Sequence, residues 1–215
     1  MPRSPRLAFQ NTFYHVFNRG INKQPIFLSD DDYKFFLSKL SHLKDKYDHS
    51  IYAYCVMPNH FHLSIQTRKM PISKIMSSLT TSYSMYFNKK YKHFGPVFQN
   101  RFKSLLIQND SYFFQLSQYI YLNPVKDRLV NNPVEYPYSG LQEALGKTPL
   151  FILDSDITRL IGETPQSIKS YKEFIYSGLS DQKTETIERL FENESILGSN
   201  NFNTSVQKRY LKRLL

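Results

Sequence analysis

The sequence predicts an α+β fold whose first part runs β-α-β-β-α-β. Three observations carry that expectation. Short segments of alternating apolar residues are separated by segments at helical spacing, a Pro-Asn turn sets two strands side by side, and the composition changes beyond Pro133 and Pro137. Phe13 to Asn18 alternates as a strand does, and Arg19-Gly20 closes it. Ser29 to Asp32 then offers an N-cap and an acidic first turn for a helix whose Tyr33, Phe36, Leu37, Leu40 and Leu43 keep helical spacing. Ile51 to Met57, rich in aromatic and branched residues, is a second strand. The Pro58-Asn59 turn leads into a third, His60 to Ile65, so the two form an antiparallel hairpin. Ile72, Ile75, Met76, Leu79, Tyr83 and Tyr86 mark a second helix, and Phe102 to Ile107 a fourth strand. This order is the ferredoxin-like one, with an antiparallel sheet. A further helix is expected from about Ser111 to Leu122, capped by Asp110 and stopped by Pro124, since proline cannot continue the hydrogen-bond ladder and disfavours α conformation just before itself.

Length and charge divide the chain of 215 residues into a main domain, 1–148, and a helical C-terminal extension, 149–215, whose segments break near Gly162-Pro165 and Gly178. Residues 1–148 hold 19 basic and 9 acidic groups, whereas 149–215 hold 9 of each, so the whole +10 excess belongs to the first part. A basic domain in a chain with 16 Tyr and 17 Phe suits a polyanion and offers aromatic faces on which bases stack. A single cysteine, Cys55, excludes a disulfide framework and a cysteine-rich zinc site. No apolar run approaches the roughly 18 residues of a membrane span, and the N-terminus lacks the apolar segment of a signal peptide; no membrane partner and a cytoplasmic location are the expectation.

The segment Met57-Pro58-Asn59-His60-Phe61-His62-Leu63-Ser64-Ile65 carries two of the six histidines. Side chains in a strand alternate faces, so His60, His62 and Ser64 point one way and Phe61, Leu63 and Ile65 the other. Two imidazoles one pleat repeat apart can converge on one metal ion, with the remaining positions left to a third ligand, water and substrate; the plainer reading is two polar residues on a solvated face. Tyr119-Ile120-Tyr121-Leu122-Asn123-Pro124 is the second informative stretch. On a helix Tyr119 and Asn123 share a face, while Tyr121 is rotated by about 200° from Tyr119. From spacing alone, Tyr119 also reads as a core aromatic and Asn123 as a cap before Pro124. His15 reads as a buried or half-buried strand histidine on the face of Phe13 and Phe17.

His60-Phe61-His62 resembles the HUH motif, two histidines flanking a hydrophobic residue, and Tyr119-x-x-x-Asn123-Pro124 resembles the tyrosine helix of single-tyrosine HUH transposases. Further blocks are Tyr14-His15-Val16-Phe17-Asn18-Arg19-Gly20, Met57 to Leu63, Gly95-Pro96-Val97-Phe98-Gln99-Asn100-Arg101-Phe102-Lys103 and Tyr119 to Val125. Together they resemble the REP-associated tyrosine transposase branch over about residues 9–140. The resemblance implies a divalent metal, Mg or Mn, held by His60, His62 and Asn123, and Tyr119 as the nucleophile. It attacks a single-stranded DNA phosphate near a hairpin, leaving a 5′-phosphotyrosine and a free 3′-hydroxyl. Arg19, Gln99, Arg101 and Lys103 lie in blocks similar to the family's DNA-contacting segments, and Lys208 and Arg209 in the basic tail are further DNA-binding candidates.

That chemistry needs no nucleotide cofactor, because an aryl phosphodiester keeps enough transfer potential to be reversed. Gly140 to Thr148 falls short of a phosphate loop, with five residues between its glycines where the motif has four. Imidazole ligands ordinarily favour zinc, copper or nickel, and magnesium prefers oxygen; a set of two imidazoles and an amide suits manganese. Two other readings compete. One is a domesticated binder of hairpin DNA or structured RNA that does not cut. The other is a metallohydrolase using His60, His62 and a distant histidine such as His15. Relatives with dimeric active sites and relatives that work alone leave monomer and homodimer both open.

Overall fold

A computed structural model describes residues 9–108, 111–178, 181–192 and 196–197. The elements are β1 (Thr12–Arg19), α1 (Asp30–Tyr47), β2 (His49–Met57), β3 (His60–Thr67), α2 (Ile72–Tyr91), β4 (Lys103–Ile107), α3 (Ser111–Lys126), α4 (Leu141–Ala144), α5 (Asp156–Ile161), α6 (Pro165–Tyr176), α7 (Asp181–Glu192) and β5 (Ile196–Leu197). The expected β-α-β-β-α-β order holds through β4. The sheet runs β2-β3-β1-β4-β5, with antiparallel neighbours except for β5, a two-residue parallel edge on β4 that periodicity could not foretell. Asp110, Lys208 and Arg209 lie outside the described residues.

Strand alternation puts Tyr14, Val16, Phe61, Leu63 and Ile65 on one face, and all five are buried. Helices α1 and α2 cover that face: the Phe36 ring lies 4.9 Å from Phe61 and 5.4 Å from Tyr83, centroid to centroid. The opposite face is buried as well. There α3 packs on β2 and β3, so β2 is buried at every position, and the face carrying the two histidines is not solvated. The sheet is thus the middle layer of three.

The N-terminus of α1 forms the capping box expected of Ser29 and Asp32. Asp32 does more than cap, being wholly buried. It accepts from the backbone of Leu28 and Ser29, from Tyr86 and Tyr91, and from the Lys90 ammonium, which ties the start of α1 to the end of α2. Burial would raise its carboxyl, but the bonds from Lys90, Tyr91, Leu28 and Ser29 outweigh it and hold the group down at about 2. Asp32→Ala is expected to cost about 1–3 kcal/mol, because the backbone N–H groups of Leu28 and Ser29 and the two phenols lose a buried acceptor, while the exposed Lys90 ammonium turns to water. Because the folded value lies below the ordinary one of about 4, that contribution is present above about pH 4 and fades as the pH falls toward 2. Urea melts of both proteins between pH 7 and pH 2 check this: a stability gap independent of pH would refute it.

Pro124 does not stop α3, which continues to Lys126. Proline forfeits one N–H, but the next turn is still closed by Asp127 N–H to the Asn123 carbonyl at 2.9 Å and Leu129 N–H to the Pro124 carbonyl at 2.8 Å. Asn123 is therefore a residue within the helix and not its end cap. Beyond α3, the helices break at Gly162 and Gly178, both with positive φ, as composition indicated.

The glycine-bounded segment at 140–146 serves packing. A Cβ at Gly140 would meet the Tyr54 ring at 2.8 Å. Glu143 accepts from the Tyr54 hydroxyl and from the backbone N–H groups of Phe151, Ile152 and Leu153. Ile152, Leu153 and Ile157 join the same core as β2, so the chain crosses position 148 without leaving that core.

Candidate functional site

The site lies on the α3 side of the sheet, where pairing register decides which side chains meet. Phe17 is opposite His62 and Arg19 opposite His60 on β3, while Phe17 is also opposite Lys103 on β4. Residues opposite one another share a face, so His15, Phe17, Arg19, His60, His62 and Lys103 all point toward α3. The His60 and His62 rings stand 5.0 Å apart at 86°. Tyr119 comes down from α3 with its ring centroid 5.4 Å from His62 and 5.8 Å from His15. The two histidines and the tyrosine, distant in sequence, thus occupy one pocket of the sheet face.

Asn123, one helical turn beyond Tyr119, donates from Nδ2 to the Tyr119 carbonyl at 2.7 Å. Its amide lies beside the His60 ring. Burial pushes both imidazoles toward neutrality: His60 falls to about 4, with Asp127 and Asn123 opposing the fall, and His62 lies well below its ordinary value, helped by His60 and His15. Neutral imidazoles keep a lone pair. Two such nitrogens and an amide oxygen fit a divalent ion of borderline character. Among the described residues no group of three His, Cys, Asp or Glu side chains is disposed to hold an ion; the polar side chain beside the two histidines is the Asn123 amide. His15 does not stand beside the pair as a third ligand. Its Nε2 abuts His62 Nδ1 at 2.9 Å.

Burial, then the carboxylates of Glu188 and Asp127, raise the Tyr119 phenol above its ordinary value. Glu188 comes from α7 and pairs with Lys126 at the end of α3. Neither this glutamate nor the His15–His62 contact was visible in sequence, because both depend on which elements pack together. Tyr121 is directed away from the site. It is fully buried beside Tyr54, Cys55, Glu143 and Tyr171, and its hydroxyl has no hydrogen-bond partner among the described residues.

Of the expected DNA-contacting residues, Arg19 and Gln99 are joined at the edge of the site, Arg19 Nε donating to Gln99 Oε1 at 2.6 Å. Lys103 opens β4 two strands from His62. Arg101 is apart from them, lining a groove of about 830 Å³ between α2 and the loop before β4 with Lys74, Ser77, Thr81 and Asn100. No helix among the described residues is long and apolar enough to cross a membrane.

The chain is similar to proteins of known family and fold. A curated protein of Haemophilus influenzae, bearing the provisional name REP-associated tyrosine transposase, is 31% identical over 108 residues, which is 45% of this chain and 61% of that relative's length. A solved structure of a REP-associated tyrosine transposase bound to a REP hairpin has the same fold, with a TM-score of 0.59 at 19% identity over 74% of this chain and 94% of the other. The family model described as "Transposase IS200 like" matches residues 8–123, from ahead of β1 through both histidines and Tyr119 to Asn123. The chain belongs to the IS200-like transposase family.

Proposed function

We propose that this protein is a metal-dependent single-stranded DNA endonuclease and strand-transferase that cuts near hairpin DNA through a 5′-phosphotyrosine. The observation that carries the reading is the meeting of Tyr119 with His62 and of Asn123 with His60 on one buried sheet face. The hairpin partner follows the relative of like fold, whose structure holds a REP hairpin.

In this reading Tyr119 Oη attacks the scissile phosphorus, the bond to the 3′ oxygen breaks, and the strand leaves with a 3′-hydroxyl that can reverse the step. Burial and the Glu188 and Asp127 carboxylates hold the phenol protonated in the free protein, so the proton has to leave Oη as the oxygen closes on phosphorus. His60, His62 and Asn123 would hold a Mg or Mn ion, which supplies positive charge against the phosphoryl oxygens. Arg19, Gln99 and Lys103, at the rim, would contact the DNA backbone and orient the strand without reading sequence.

The test is incubation with single-stranded DNA from the flanks of the gene plus manganese, followed by a denaturing gel. A protein–DNA species that survives denaturation and disappears with protease is expected. Hairpin binding with no such species under any divalent ion would favour a binder that does not cut.

A further inference from the structure

His15 is wholly buried on β1, and the sheet itself sets its place. It is opposite Ser64 on β3 and Leu105 on β4, which makes it the diagonal neighbour of His62. Its Nε2 lies 2.9 Å from His62 Nδ1, with the rings inclined by only 30° and their centroids 5.1 Å apart. That separation is about what an end-on nitrogen-to-nitrogen contact leaves once a ring radius is added at each end, so the contact is a hydrogen bond in the plane of the rings.

Only one proton fits between the two nitrogens. A neutral imidazole carries a single N–H, so whichever ring donates fixes the role of its own second nitrogen. If His62 donates from Nδ1, its Nε2 keeps a lone pair. If His15 donates, the His62 proton sits on Nε2 and that nitrogen cannot bind a cation. The neighbouring histidine shows how such a choice is settled. Asn59 Nδ2 donates to the Lys23 carbonyl at 3.0 Å, which turns Asn59 Oδ1 toward His60 Nδ1; the ring must then donate from Nδ1 and keep Nε2 as its acceptor.

We propose that His15 is a positioning residue that accepts the Nδ1–H of His62 and so holds His62 in the tautomer whose Nε2 can ligate a divalent cation, as Asn59 does for His60. The inference rests on reading His60 and His62 as ligands. A ligating histidine commonly gives its other N–H to an acceptor that fixes its tautomer and orientation. The usual acceptor is a carboxylate or carbonyl. Here an uncharged imidazole does the work in a place where a carboxylate would be a buried negative charge.

Two measurements on the full chain test it. Imidazole ¹⁵N NMR of the metal-free protein should find the His62 proton on Nδ1; a proton on Nε2 overturns the proposal, and this readout needs no variant. Calorimetric titration with Mn²⁺ should show His15→Phe binding about 10- to 100-fold more weakly, with His15→Gln, which offers an acceptor again, recovering most of the loss. Unchanged Mn²⁺ affinity in a folded His15→Phe protein also overturns it. His62→Ala separates the two levels of the argument: if it too binds Mn²⁺ as the parent does, the ligand reading itself has failed, whereas loss in His62→Ala with retention in His15→Phe removes only the positioning role.

Discussion

Tyr119→Phe is expected to lower covalent attachment to single-stranded DNA by about 10⁴-fold or more while leaving hairpin binding nearly unchanged. The substitution removes one oxygen and keeps the ring that packs against His15 and His62, so the site keeps its shape and loses the proposed nucleophile. The informative control is two residues away. Tyr121 is on the same helix but faces the core, and its hydroxyl is buried without a hydrogen-bond partner among the described residues. Tyr121→Phe should retain full adduct formation and leave stability unchanged or raise it by about 1 kcal/mol, because an unsatisfied hydroxyl is removed. The measurement is a denaturing gel of labelled DNA for the three proteins, with hairpin affinity measured in parallel. An adduct that persists in Tyr119→Phe and vanishes in Tyr121→Phe would reverse the assignment.

A nucleophilic role for Tyr119 was implied by the resemblance and not by the spacing; that Tyr119 and not Tyr121 shares a face with Asn123 was legible in sequence, because a helix has a fixed period. The strands were legible for the same reason, through alternation, and the start of α1 through Ser29 and Asp32. What covers the second face of the sheet was not. The apolar content of β2 fits burial on one side or on both, and only the docking of α3 decides that His62 lies in the interior. Pairing register is a quantity of the same kind: His15 and His62 are 47 residues apart and meet because β1 and β3 are aligned with Phe17 opposite His62. Pro124 misled in the other direction. A rule about local hydrogen bonds placed a helix end where the following turn closes regardless, and the residue read as a cap, Asn123, stands inside the helix with its amide beside His60.

On the proposed metal site, replacing either His60 or His62 by Ala is expected to remove manganese-dependent cleavage, and the double replacement should be little worse than either alone, because two ligands of one ion would act as a unit. The fold should survive in each single variant. His60 is only half-buried, and although His62 lies in the interior, its neighbours on that face include the adaptable side chains of Phe17 and Tyr119. The strand's other face gives the contrast. Phe61 is fully buried against Phe36 and Phe98, so Phe61→Ala should cost about 3–5 kcal/mol of stability. Two assays on every variant separate these roles: thermal melting, and cleavage of a single-stranded hairpin substrate with and without chelator. The histidine variants should melt close to the parent and fail to cut, and the phenylalanine variant should melt early and, where still folded, cut with the parent's metal dependence. A His62→Ala protein that melts normally and cuts with unchanged metal dependence would show that the paired histidines serve some other purpose than holding an ion.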